Sequence, residues 1–98
     1  MFTIQQTETF TSWFSGLRDA RAKARIIMRL DRVRAGNLGD VKSVGHQVYE
    51  MRVDVGPGYR LYYTQRGKTI LLLLCGGDKS TQPRDIKRAT VLAQELSP

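Results

Sequence analysis

The sequence predicts a single α+β domain of 98 residues: a short N-terminal strand and a helical hairpin packed on an antiparallel sheet, closed by a C-terminal helix. Three observations predict it. Two consecutive segments near the start carry apolar residues at helical spacing. The stretch from Gln47 to Cys75 either alternates or is apolar throughout, and strong turn signals divide it. The last segment returns to helical spacing.

Taken in order, Phe2 to Gln6 alternates weakly and reads as a short strand. Phe10, Trp13, Phe14 and Leu17 then stand at i, i+3, i+4 and i+7, one face of a helix, with Thr7 as N-cap and Glu8 in the first turn. Gly16 interrupts. A second helix runs from Asp19 as N-cap to Ala35, with Ile26, Leu30 and Val33 as its apolar stripe and Gly36-Asn37 as a left-handed stop. On its other face Arg18, Arg21, Arg25, Arg29 and Arg32 fall within about 80° of one another at about 100° per residue, a continuous arginine stripe. The short connection between the two helices predicts a hairpin.

A short extra strand is expected near Val41 to Val44. From Gln47 to Val55, Tyr49, Met51, Val53 and Val55 point one way and Glu50, Arg52 and Asp54 the other. Gly56-Pro57-Gly58 is a turn, Tyr59 to Gln65 the next strand, and Arg66-Gly67-Lys68 another turn. Thr69 to Cys75 is apolar throughout, as a central strand covered on both faces should be, and Gly76-Gly77 is expected to leave the sheet. Ser80 or Thr81 caps the last helix, with Pro83 in its first turn and Ile86, Ala89, Ala93 and Leu96 as its buried stripe.

Sixteen Lys and Arg against nine Asp and Glu give a net charge of +7, which favours polyanionic partners: nucleic acid, the ribosome or an acidic protein. No apolar run approaches the roughly 18 residues of a membrane span, and the first residues lack the charged and apolar regions of a secretory signal. A cytoplasmic protein without membrane contact is expected. The single cysteine, Cys75, cannot form an internal disulfide and has no neighbours to complete a metal cluster.

With Gly56-Pro57-Gly58 as a three-residue turn, Val55 should face Tyr59, Asp54 Arg60, Arg52 Tyr62, and Glu50 Thr64. Glu50, Arg52, Asp54, Arg60 and Tyr62 then project from one surface, while Met51, Val53, Leu61 and Tyr63 pack against helices. The Gly77-Asp78-Lys79 loop brings Lys79 beside this patch. Two readings stand: two arginines, a lysine and a tyrosine that hold phosphates and stack a base, or a solvated face of cross-strand ion pairs. The arginine stripe divides the same way, between nucleic-acid contact and a solvated helix face. His46 reads as a turn residue, and Cys75 as a small apolar one ending a strand. Gly77-Asp78-Lys79-Ser80 lacks the glycine spacing of a phosphate-binding loop. With no carboxylate pair or nucleophile–histidine arrangement, any enzyme here works through basic groups, with neither metal nor small-molecule cofactor.

The segment from Tyr49 to Tyr63, with its Glu-x-Arg strand and Gly-Pro-Gly-Tyr-Arg turn, resembles the phage-derived, HigB-like addiction-module killer family of the RelE/ParE toxin superfamily. Leu71 to Gln82, with Gly-Gly-Asp-Lys-Ser, and Arg84-Asp85-Ile86 carry the same resemblance. It implies a toxin that cuts ribosome-bound mRNA: a ribose 2′-hydroxyl attacks the adjacent phosphate while basic side chains stabilise the developing charge. Arg60 matches the family's phosphate-stabilising arginine, Arg52 a basic position on the preceding strand, and Lys79 the basic residue after the last strand. Tyr62 would stack or orient the substrate. The stripe from Arg18 to Arg32, together with Arg84, would contact the ribosome, RNA or an acidic antitoxin segment. The implied partners are the ribosome, mRNA and a cognate helix-turn-helix antitoxin. This sequence departs from the pattern where Val48 and Glu50 replace strand lysines, and where Arg84-Asp85-Ile86 holds no tyrosine or histidine. Glu50, Asp85 or Lys79 would then serve as acid or base, unless the ribosome does. A DNA gyrase poison of the ParE kind and a non-catalytic antitoxin-binding module share the implied fold.

Overall fold

A computed structural model describes residues 1–96. In chain order the elements are β1 (Thr3–Gln6), α1 (Glu8–Ser15), α2 (Ala20–Arg34), β2 (Val41–Gly45), β3 (Val48–Val53), β4 (Tyr59–Arg66) and β5 (Ile70–Asp78). A short 3₁₀ turn (Lys79–Thr81) then leads into α3 (Gln82–Glu95). Both caps expected of the hairpin form: Thr7 Oγ1 accepts from the Phe10 N–H at 3.0 Å, and Asp19 Oδ1 accepts from the Arg21 and Ala22 N–H groups. At the end of α2 the Asn37 N–H reaches the Arg32 carbonyl and the Gly36 N–H the Val33 carbonyl, each at 2.9 Å, the paired bonds of a Schellman stop.

The five strands order as β1-β5-β4-β3-β2. The pairs from β2 to β5 are antiparallel, but β1 lies parallel to β5, in a register running from Thr3 opposite Ile70 to Gln6 opposite Leu73. That edge joins distant parts of the chain, and no local pattern announces it. β1 is thereby tied into the sheet on its inner side, and the first helix starts where Thr7 Oγ1 donates to the Leu74 carbonyl at 2.6 Å.

The sheet separates two apolar clusters. On one face Phe10 of α1 and Ile26, Leu30 and Val33 of α2 pack on Met51, Val53, Leu61, Tyr63, Leu71 and Leu73. On the other, Ala89 of α3 packs on Val48, Tyr62, Leu72, Leu74 and Cys75, with Ile86, Leu92 and Ala93 around it. β5 is covered on both sides, as its unbroken apolar run requires. Leu96, expected in the buried stripe, is 40% exposed because α3 ends at Glu95. Among the described residues no helix is long and apolar enough to cross a membrane.

Three local expectations are corrected. The β3–β4 register places Val53 opposite Tyr59, Arg52 opposite Arg60 and Glu50 opposite Tyr62. The turn therefore takes Asp54 to Gly58 rather than three residues, closed by the Gly58 N–H on the Val55 carbonyl at 3.1 Å. The slip is by two residues, so every side chain keeps its face. Secondly, β5 continues through Gly76 and Gly77, which pair with Leu61 and Arg60. Thirdly, neither Ser80 nor Thr81 caps α3 by its side chain; Asp78 caps the preceding 3₁₀ turn instead, accepting from the Ser80 N–H at 2.8 Å.

Candidate functional site

The β4–β5 register slips at Tyr62, opposite Cys75, and Tyr63, opposite Leu73, leaving Leu74 as an extra residue in β5. This bulge turns both Leu74 and Cys75 toward α3 and reverses the face of everything after them. Gly76 consequently faces Trp13 and Gly77 faces Asp85. A Cβ on Gly76 would enter the Trp13 ring, and one on Gly77 would strike Asp85 Oδ2 and lie 2.8 Å from Thr81 Oγ1. Two adjacent glycines thus admit an aromatic ring on one face and a buried carboxylate on the other.

Beyond the part of the sheet that α3 covers lies a concavity of about 330 Å³, lined by Arg52, Arg60, Lys79, Asp40, Asp54 and Gly58. Strand β3 supplies Arg52, β4 supplies Arg60, and the 3₁₀ turn after β5 supplies Lys79. Arg60 is the most constrained of the three. Its side chain is 10% exposed, and Nη1 donates to the Gly58 carbonyl at 2.6 Å. Gly58 has φ +80°, and a Cβ there would sit 2.9 Å from Arg60 Nη1, so the turn glycine is what lets the guanidinium fold back. Arg52 is 43% exposed on its side chain and Lys79 is exposed, so both are free to meet a ligand.

Beneath them sits Glu50, wholly buried. Its Oε2 accepts from Tyr62 Oη at 3.1 Å and from Gln82 Nε2 at 2.6 Å. Its Oε1 lies 3.5 Å from Arg52 Nε and 3.9 Å from both Arg60 Nε and Lys42 Nζ. One carboxylate therefore ties α3, β4 and the cations of the pocket together. Burial first, and the Glu50 carboxylate next, push the Tyr62 phenol above its ordinary range, so it stays protonated and donates a hydrogen bond to Glu50.

The sequence expectations sort accordingly. Arg52, Arg60 and Lys79 do converge. Tyr62, expected to stack a base, is instead covered by α3 with no accessible surface, because its phenol is the bridge to Glu50. Glu50 and Asp85, expected as acid or base, are 0% and 2% exposed and present no surface to the pocket. Asp85 accepts from Thr81 Oγ1 and pairs with Arg84 at 3.5 Å, and Arg84 points outward at 75% exposure, away from the pocket lining. The arginine stripe divides: Arg25, Arg29 and Arg32 line a second concavity with Arg52, whereas Arg18 and Arg21 do not. The pocket-facing carboxylates are Asp40 and Asp54. Asp54 was legible as sharing the face of Arg52, but Asp40 lies in the α2–β2 connection, where no periodicity marks it. Cys75 is buried, which with the nearby Asp85 charge pushes its thiol up to about 12, far from a nucleophile's range.

The protein-family model described as "Phage derived protein Gp49-like" matches residues 12–96. The chain belongs to the Gp49-like family of phage-derived proteins. The match takes in both helices of the hairpin from Ser12 onward, the antiparallel strands and α3, so it spans all three sources of the pocket. A chain from Haemophilus influenzae, described as an uncharacterized protein, is 53% identical over 93 residues, covering 95% of this chain and 94% of that one. The five-stranded sheet with its C-terminal helix is compatible with the fold of RelE-like toxins.

Proposed function

We propose that this Gp49-like protein is the toxin of a type II toxin–antitoxin pair and stops translation by cutting ribosome-bound mRNA. The observation that carries this reading is Arg60: a guanidinium nine-tenths buried, anchored by Gly58 and Glu50, aimed into a pocket whose rim holds Arg52 and Lys79. A fixed cation in a partly dry site stabilises developing negative charge without having to reorganise. A scissile phosphate seated there would meet Arg60 from below, with Arg52 and Lys79 at the sides.

In the reaction the ribose 2′-hydroxyl loses its proton to a carboxylate and its oxygen bonds to the adjacent phosphorus. The bond to the 5′ oxygen of the next nucleotide then breaks, leaving a 2′,3′-cyclic phosphate and a 5′-hydroxyl. Asp54, exposed on the pocket wall, is the residue suited to accept that proton, and the Lys79 ammonium is suited to return one to the departing oxygen. The place of action is then the cytoplasm. The partner that restrains the protein is an antitoxin, a helix-turn-helix protein by the resemblance described above.

The test is induction in bacteria of wild type beside Arg60→Ala, with mRNA 5′ ends mapped after growth arrest. Codon-phased cuts that disappear with Arg60→Ala are expected. Growth arrest without new cuts would overturn the nuclease reading and point to another target, such as gyrase.

A further inference from the structure

The pocket that holds Arg60 does not end at Arg52. A second concavity, about 440 Å³, lies between α2 and the end of β3, with Arg25, Met28, Arg29, Arg32, Asn37 and Arg52 in its lining. Arg52, Val53, Asp54 and Asp40 line both hollows, so the two adjoin at these four residues and together offer one groove-like surface. One peptide group fastens its halves: the Asp40 carbonyl accepts from the Arg52 N–H at 3.1 Å and from Arg29 Nη2 at 3.3 Å. Arg29 is further seated against Gly39, where a Cβ would lie 2.8 Å from its guanidinium carbon.

From this we infer that the α2 half of the groove is a binding track for the single strand of RNA on one side of the scissile phosphate, with Arg25 and Arg32 each holding a flanking phosphate. The inference rests on the phosphate reading of the Arg60 pocket. Four arginines against two aspartates line the α2 half, and Met28 is its one exposed large apolar residue, so the wall suits a polyanion better than an apolar helix face. Guanidinium groups hold phosphate oxygens in a bidentate manner and offer flat surfaces to unstacked bases. Arg52, half exposed and shared by both hollows, is the hinge point: the strand passes it on leaving the catalytic pocket. The outer arginines Arg18 and Arg21 take no part.

The experiment uses the full chain and a fluorescent single-stranded RNA of about twelve nucleotides, made uncleavable by 2′-O-methylation at every position. Binding is followed against salt for wild type, for Arg25→Ala/Arg32→Ala, and for Arg18→Ala/Arg21→Ala as a control that removes the same charge from outside the groove. Each lost single-strand phosphate contact should reduce the log–log salt slope by about 0.7, so the groove variant should fall by about 1.4 and bind about 25-fold more weakly at 0.1 M salt. The control should change by less than half of that slope. Equal losses in both variants would mean diffuse attraction and overturn the track. Unchanged binding in the groove variant would overturn it too, and would leave the groove to an acidic polypeptide. Cleavage by wild type in the mRNA-mapping assay is read separately. If it is absent while the two variants still differ, the nuclease reading fails and the track stands.

Discussion

Removing the Glu50 carboxylate is the sharpest perturbation of this architecture. Glu50→Ala leaves Arg60, nine-tenths buried, without an anion, and strips the acceptor from both Tyr62 Oη and Gln82 Nε2. Deleting one partner of a buried ion pair costs about 3–5 kcal/mol, because the remaining charge is stranded. A chain of this size has about 5–15 kcal/mol in total, so the loss is a large share of its stability. Glu50→Gln keeps the shape and an acceptor oxygen, and should cost about 1–3 kcal/mol. Urea unfolding followed by Trp13 fluorescence measures both. Trp13 is the sole tryptophan and packs against Tyr59 on the opposite sheet face, so it reports global unfolding rather than the change itself. With an m value of about 1.5 kcal/mol per M, the alanine midpoint should fall by about 2–3 M and the glutamine midpoint by about half as much. An alanine midpoint within about 0.5 M of wild type would refute the reasoning, showing that the buried Arg60 guanidinium is satisfied without Glu50.

Other outcomes follow from the same geometry. Gly77→Ala should destabilise by about 1–3 kcal/mol, read as a lower Tm, and adding Asp85→Ala should recover part of the loss, since Asp85 Oδ2 is what the new methyl meets. Native Cys75 should resist thiol reagents at pH 8 and react only as fast as the protein unfolds, because burial holds its thiol up to about 12. Its folded value lies above its unfolded one, so the unfolded chain gives up the proton first. Stability should therefore fall as pH rises from about 9 toward 12, and less steeply in Cys75→Ala, as pH-dependent urea curves would show. Asp78 has the opposite sign: hydrogen bonds from Ser80 hold its carboxyl below its ordinary value. Its contribution is present above the usual carboxylate range and lost as pH falls through the depressed value, so Asp78→Asn should flatten the acid limb of the same curves.

Much of this fold was legible along the chain because local periodicity and end chemistry are short-range. Thr7 and Asp19 are caps by virtue of their own hydroxyl and carboxylate, and the alternation from Tyr49 to Val53 assigns faces whatever the register. The meeting of Arg52, Arg60 and Lys79 was legible too: two of them share a sheet face, and the third follows the neighbouring strand. The fate of that face was not. Nothing near Tyr62 or Glu50 says that α3, some twenty residues later, will lie over them, so an apparent base-stacking surface became a buried hydrogen-bonded bridge. The site's carboxylates changed identity for the same reason.

By itself, then, the sequence determined the elements, their inward faces, the basic character of the molecule and the three cations of the pocket. Tertiary structure alone decided the parallel β1–β5 edge, the bulge at Leu74, and the burial of Glu50, Tyr62 and Asp85. It also decided the joining of the α2 arginines to Arg52 through the Asp40 peptide. These depend on contacts between residues far apart in the chain, whose energies exist only once the chain has closed on itself and excluded water from between them.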